Sequence, residues 1–243
     1  MTTHTTVHTT ALVTGASRGL GAEAAARLAG LGWTVWLGAR DVAAGEAVAK
    51  EIHAEMPDAD VRVVQLDVTS DESVEAAYDA VSAAETGLDV LVNNAGISGP
   101  RALPADTKPT DLIPVFGVNL LGPVRVTNTF LPLLQQSARP RLVMVSSGLG
   151  SFAITQDRAR LESTIWGLSY PASKAALNMV TTIYEKTLPD VRVTAVDPGY
   201  TATNLNDFTG TQTLAEGAEP IVEACVAEEL AGGFIGRGGA LPW

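Results

Sequence analysis

Tyr170 and Lys174 stand four residues apart in Tyr170-Pro171-Ala172-Ser173-Lys174, a spacing that sets both side chains on one face of a helix. A phenol ordinarily releases its proton near pH ~10, too high for efficient transfer at neutral pH. An ammonium one helical turn away stabilises the phenolate, and a phenol so tuned can give a proton to a carbonyl oxygen or take one from an alcohol. A Tyr-x-x-x-Lys pair alone is a chance event more often than not, so its meaning depends on what converges with it. Ser146-Ser147 follow an apolar run, and a hydroxyl there can hold the same substrate oxygen. Asn119, in Gly117-Val118-Asn119, either positions a water for proton exchange or satisfies a carbonyl of its own helix, and the sequence leaves both readings open.

A second group of residues suits a phosphate-bearing ligand. Thr14-Gly15-Ala16-Ser17-Arg18-Gly19-Leu20-Gly21 joins an apolar run to a helical pattern. Its glycines let the backbone approach closely, and the helix start offers free amides to a pyrophosphate. Glycine triplets are common, so the signal comes from the strand before and the helix after. Arg40, in Gly38-Ala39-Arg40-Asp41 at the end of the second apolar run, and Arg18 can both meet a 2′-phosphate. That favours NADP(H) over NAD. Asp41 complicates the choice and reads as the N-cap of the next helix. Asp67, with Val68 behind it, is placed to accept from an adenine amino group or to cap the helix near Asp71. Asn93-Asn94-Ala95-Gly96 is either a close cofactor approach or a plain turn.

These residues need elements to carry them. Apolar runs Thr10–Thr14, Thr34–Ala39, Val61–Gln65, Val90–Asn93, Leu142–Ser146 and Arg192–Asp197 read as buried strands. Helical patterns at Gly19–Leu31, Ala43–Glu55, Asp71–Ala84, somewhere within Asp111–Leu134, and at Tyr170–Thr187 separate them. The alternation predicts an α/β fold, a single Rossmann-type doubly wound parallel sheet of about seven strands with helices on both faces. Ligands are then expected outside the carboxyl ends of the strands, where the candidate residues fall. One domain over 1–243 is expected, with a flexible tail at 1–9 and a polar segment at 203–219 covering the site.

Taken together, the Thr14–Gly21 loop, Asp67, the Asn93–Gly96 turn, Asn119, Ser147, Tyr170, Lys174 and the Pro198–Thr203 run resemble the short-chain dehydrogenase/reductase family, in family order over residues 10 to about 205. The Ala39-Arg40-Asp41 stretch is similar to the NADPH-dependent carbonyl reductase branch. The resemblance implies a catalytic tetrad of Asn119, Ser147, Tyr170 and Lys174, with Ser146 in support and Lys174 also holding the nicotinamide ribose. It implies cofactor contacts from Gly15, Ser17, Arg18, Gly19, Leu20, Gly21, Arg40, Asp67, Val68, Asn94, Ala95, Gly96, Pro198, Gly199, Thr201 and Thr203. Thr201 departs from the family's usual valine. Ser147 and Tyr170 lie 23 positions apart, more than in the commonest members, so 151–169 reads as an insertion that contains Asp157, Arg158, Arg160 and Glu162. Because it precedes a helix through which many members pair, it bears on whether the chain forms a homo-oligomer.

Composition narrows the partners. Twenty-seven acids against 16 bases give a net charge of −11, which repels phosphate backbones and anionic lipid, so no nucleic-acid or membrane partner is expected. No 18-residue apolar stretch and no signal-peptide pattern occur. Cys225, the single cysteine, reads as buried core in a reducing cytoplasm. His4 and His8 lack the companions of a metal site, so no metal is expected. The function this supports is hydride transfer from NADPH to a ketone or aldehyde. An NAD(P)+-dependent alcohol dehydrogenase and a non-catalytic dinucleotide sensor are the alternatives. Leu149, Phe152, Trp166, Leu168, Leu205 and Phe208 form either an apolar substrate pocket or ordinary core.

Overall fold

A computed structural model describes residues 9–228 and 232–243. The tail and its two histidines, His4 and His8, lie outside the described residues, as does all but the last residue of 1–9. Strands β1 (Thr10–Thr14), β2 (Thr34–Ala39), β3 (Val61–Gln65), β4 (Val90–Asn93), β5 (Arg141–Val145), β6 (Arg192–Asp197), β7 (Gly233–Gly236) and β8 (Gly239–Ala240) form one sheet. Its spatial order is β3-β2-β1-β4-β5-β6-β7-β8. All neighbours pair in parallel except β7 with β8. The expected count of about seven thus becomes eight, because the chain turns back after β7 and adds a two-residue antiparallel edge.

Alternate residues of each strand feed two core layers, as period-2 geometry requires. Ala11 and Val13 of β1 pack with α1 (Gly19–Gly30) and α2 (Val42–Glu55), whereas Leu12 packs with α3 (Asp71–Ala83) on the opposite face. The runs read as continuous and apolar because both faces are covered. Order reverses between β1 and β4, which opens a crevice at their carboxyl ends.

Local chemistry sets the boundaries. Asp41 caps α2 by accepting from the Ala43 and Ala44 amides, as read from sequence. Ser70, not Asp67, caps α3. The helix sought within Asp111–Leu134 starts earlier: α4 (Pro109–Phe116), a π-helical turn (Gly117–Leu121) and α5 (Gly122–Leu134) run on from one another. Within 151–169, α6 (Phe152–Gln156) precedes a 3-10 turn at Leu161–Thr164, and α7 (Ser169–Thr187) carries Tyr170 and Lys174. The carboxyl-terminal residues anchor this stretch: Ser151 donates to Pro242 O, Ala153 N to Trp243 O, and Trp243 stacks on Phe234.

Of the expected covering segment 203–219, only the beginning reaches the crevice. Residues 214–219 are the first turns of α8 (Leu214–Val226), which packs on α1. A capping box between Thr213 and Glu216 starts α8; Thr213-Leu214-Ala215-Glu216 is a recognisable helix-start signature that the sequence reading passed over.

Candidate active site

A cleft of about 900 Å³ opens across the carboxyl ends of β1 to β6. On its dinucleotide side lie Gly15, Ser17, Arg18, Gly19, Leu20 and Gly21. Gly15 has φ +65°, and a Cβ there would sit 2.9 Å from Ala95 Cα, so a side chain is barred both by conformation and by space. At Gly21 a Cβ would meet Asn94 Nδ2 at 2.4 Å. No side chain caps the first turn of α1, and its residues Gly19, Leu20 and Gly21 line the cleft. Those features suit a phosphate at the helix start.

Asn94, read as a cofactor contact, directs its side chain to the protein. Its Nδ2 donates to Thr14 O at 2.8 Å, while the Asn94 and Ala95 amides donate to Thr14 Oγ1 at 2.9 and 3.0 Å. Thr14 therefore clamps the β4 turn to the β1 turn, and Ala95 and Gly96 reach the cleft through backbone. Asp67 Oδ1 accepts from both the Thr69 amide and the Thr69 hydroxyl. Those bonds, with help from Arg40 and Arg125, hold its carboxyl below the usual range despite burial. Val68, Arg18, Arg40 and Asp41 also line this side, and both arginines are exposed. The donor set fits a dinucleotide with an anionic group near Arg40.

On the other side, Ser147, Tyr170 and Lys174 share one wall. Lys174 is 3% exposed; its Nζ donates to Val145 O at 2.7 Å and lies 5.7 Å from the Tyr170 ring centroid. Burial pushes its ammonium down to about 8, against an opposing pull from Asp197. Tyr170 moves the other way. Burial and the Asp197 carboxylate raise its phenol well above the ordinary value, and hydrogen bonding from Ser147 only partly offsets them. The acidified phenol expected from the Lys174 spacing is therefore not what the protein's own groups produce, because desolvation and the Asp197 charge outweigh the Ser147 hydrogen bond.

The two serines separate. Ser146 is buried and donates to Asn178 Oδ1, whereas Ser147 Oγ accepts from the Leu149 amide beside the cleft. Asn119 sits fully buried in the π-helical turn. Its side chain turns from its own helix to the β4 loop and α7: Oδ1 accepts from Ile97 N at 2.8 Å, and Nδ2 donates to Ile97 O and to Ser173 Oγ. Neither sequence reading of its side chain anticipated this brace, because it joins residues 22 apart along the chain.

Pro198, Gly199, Thr201 and Thr203 follow β6 along the cleft edge. Thr201 is buried, and its hydroxyl donates to Pro198 O. Thr203 caps the 3-10 turn Asn204–Asn206, whose residues also line the cleft. Of the apolar candidates, Leu149, Trp166 and Leu205 line it, joined by Ile97, Leu161, Ile165 and Tyr200, which the sequence reading missed. Phe152, Leu168 and Phe208 are absent from the lining, and Phe152 and Phe208 are 71% and 62% exposed. Asp197, the last residue of β6, lines the cleft with Tyr170 and Lys174 and acts on both through its charge, a placement that its position at the end of an apolar run does not reveal. Cys225 is buried and its thiol is pushed up to about 12, as befits core. Among the described residues no His, Cys, Asp or Glu cluster could hold a metal, and no helix is long and apolar enough to cross a membrane.

A doubly wound sheet with a glycine-lined helix start and a Ser-Tyr-Lys wall defines the class of dinucleotide-dependent oxidoreductases. The short chain dehydrogenase family profile matches residues 9–213, and the chain belongs to that family. It is 32% identical to (+)-neomenthol dehydrogenase from Arabidopsis thaliana, over 93% of this chain and 95% of that one. Its fold superposes on NADPH-bound carbonyl reductase from chicken fatty liver with TM-score 0.82 and 26% identity, covering 97% and 99% of the two chains. It also superposes on 3-ketoacyl-(acyl-carrier-protein) reductase from Brucella melitensis complexed with NADH, with TM-score 0.79 and 25% identity over 94% and 96%.

Proposed function

We propose that this protein is an NADPH-dependent reductase of ketones or aldehydes. The observation that carries the reading is the shared wall of Ser147, Tyr170 and Lys174, facing a cleft whose far side holds the glycine-lined start of α1 and the exposed Arg18 and Arg40. The bound dinucleotide supplies the hydride. Gly15, Ser17, Gly19, Leu20 and Gly21 would hold its pyrophosphate, Arg18 and Arg40 its 2′-phosphate, Asp67 and Val68 its adenine, and Asn94, Ala95, Gly96, Pro198, Gly199, Thr201 and Thr203 would frame the remainder. Arg40 supports NADPH over NADH because Asp41, the competing acid, has its Oδ1 engaged at the start of α2.

Ser147 and Tyr170 then donate to the carbonyl oxygen, and their bonds strengthen as negative charge grows there, which lowers the barrier more than it favours the ground state. Tyr170 passes its proton to that oxygen. Lys174, whose ammonium titrates near neutrality, resupplies it. Asn119 acts by holding the β4 loop against α7 through Ile97 and Ser173. Leu149, Leu161, Ile165 and Trp166 favour an apolar substrate body.

The test is NADPH oxidation against a panel of aryl and aliphatic carbonyls. Tyr170→Phe is expected to abolish turnover while leaving NADPH affinity within a few-fold of the unaltered chain. A near-normal rate in that variant would refute the reading, and cofactor binding without any turnover by the unaltered chain would favour a sensor.

A further inference from the structure

Asp197 is a carboxylate that the proposed chemistry does not employ, although it lines the cleft with Ser147, Tyr170 and Lys174. It ends β6 beside the Pro198–Gly199 turn, and its Oδ1 accepts from the Gly199 amide at 3.0 Å. The Gly148 amide, from the loop that carries Ser147, also stabilises the carboxylate. That loop is packed onto the acid: a Cβ on Gly148 would lie 3.0 Å from Asp197 Oδ2 and 3.1 Å from Glu162 Oε1. One side chain thus joins the turns that follow β5 and β6, which stand as neighbouring strands.

The groups facing it come from each surrounding element. Tyr170 and Lys174 of α7 line the cleft with it, and its charge acts on both. Glu162 and Arg160 face it from the insertion, with Glu162 opposing its charge and Arg160 favouring it. Burial works against ionisation, and the two amides and Arg160 work for it. A negative charge in this position disfavours phenolate at Tyr170 and favours ammonium at Lys174.

We infer that Asp197 is a positioning residue of the active site, which ties the Ser147 loop to the Pro198–Gly199 turn and sets a negative charge on the wall that carries Tyr170 and Lys174. The inference rests on the reductase reading above. The tie and the charge are separable roles. Asp197→Asn keeps an acceptor for Gly199 and removes the charge; Asp197→Ala removes both.

Two measurements test this. In the first, the pH profile of kcat/KM for carbonyl reduction is recorded with NADPH for the unaltered chain and both variants. Asp197→Asn should move the alkaline fall of the profile to lower pH by about one unit, with kcat near neutrality reduced less than in Asp197→Ala. In the second, hydrogen exchange is followed without cofactor or substrate in peptides spanning 146–150 and 197–202. Asp197→Ala should speed exchange in both by at least about tenfold, as loss of a bond worth about 1.4 kcal/mol would, whereas Asp197→Asn should retain most of the protection at Gly199. Superimposable pH profiles for the unaltered chain and Asp197→Asn would overturn the charge role. Unchanged exchange in Asp197→Ala would overturn the tie. If the unaltered chain reduces carbonyls and Tyr170→Phe does not, either failure counts against Asp197 alone; if the unaltered chain reduces none, the reductase reading falls and the charge role with it, while the exchange result still judges the tie.

Discussion

Strand β5 has a buried cation at each end, and the two are held in different ways. At its start, Arg141 is 7% exposed and donates to Ala227 O, just past the end of α8. Arg192 also donates to Ala227 O and reaches Glu228 O, and Arg139 pairs with Glu228. The guanidinium groups therefore meet carbonyls that a helix end leaves without partners. At the other end of the strand, Lys174 is 3% exposed and has one backbone acceptor, Val145 O. Arg141 remains charged under any ordinary condition, whereas Lys174 is pushed down to about 8. The contrast teaches that burial of a cation is structural where the group is permanently charged and matched to helix-end carbonyls. It becomes chemical where the group titrates near neutrality beside a phenol and a cleft.

The sharpest attempt to break that contrast is to remove each cation in turn. Lys174→Met should lower kcat by roughly 10²–10⁴-fold, the range of general acid–base contributions, with little loss of melting temperature. Arg141→Met should instead cost about 1–3 kcal/mol of unfolding free energy and leave kcat of the folded protein unchanged. Kinetics beside thermal denaturation decides it, and equal kinetic losses would erase the distinction.

A pH series sharpens it. Lys174 has its folded value depressed from 10.5 to about 8, so between those values the unfolded chain binds more protons and stability should rise with pH. The rise is at most on the order of 3 kcal/mol, and Lys174→Met should lack it. Denaturant unfolding of both proteins across this range gives the difference, and parallel curves would contradict the buried ammonium.

Smaller effects are expected at the exposed edges. Arg40→Asp should weaken NADPH binding by about tenfold or more, the scale of a charge-assisted bond, while NADH affinity changes little. Fluorescence titration with both cofactors measures this, and parallel losses would remove Arg40 from the 2′-phosphate. Thr213→Ala should cost about 1 kcal/mol through the α8 cap, visible as a lower melting temperature at unchanged kcat.

How much was legible follows from the range of each signal. Asp41 as the cap of α2 is a local matter, and it follows the sequence reading. Parallel strands were legible because Ala11, Leu12 and Val13 must all be apolar when helices cover both faces. The start of α8 carried a local signal that was overlooked, with Gly217 and Pro220 weakening its helical pattern. The β7–β8 return involves short strands rich in glycine, where periodicity has almost nothing to show.

Residue identity and order by themselves determined the α/β class, the glycine-lined turn between β1 and α1 and the pairing of Tyr170 with Lys174, since each depends on neighbours within a helical turn or a strand's length. Only the tertiary structure decided that Ser146 spends its hydroxyl on Asn178, that Asn119 braces Ile97 and Ser173, and that burial and Asp197 hold the Tyr170 phenol high. Those outcomes depend on desolvation and on charges brought together from distant segments, and neither quantity exists until the chain has closed around them.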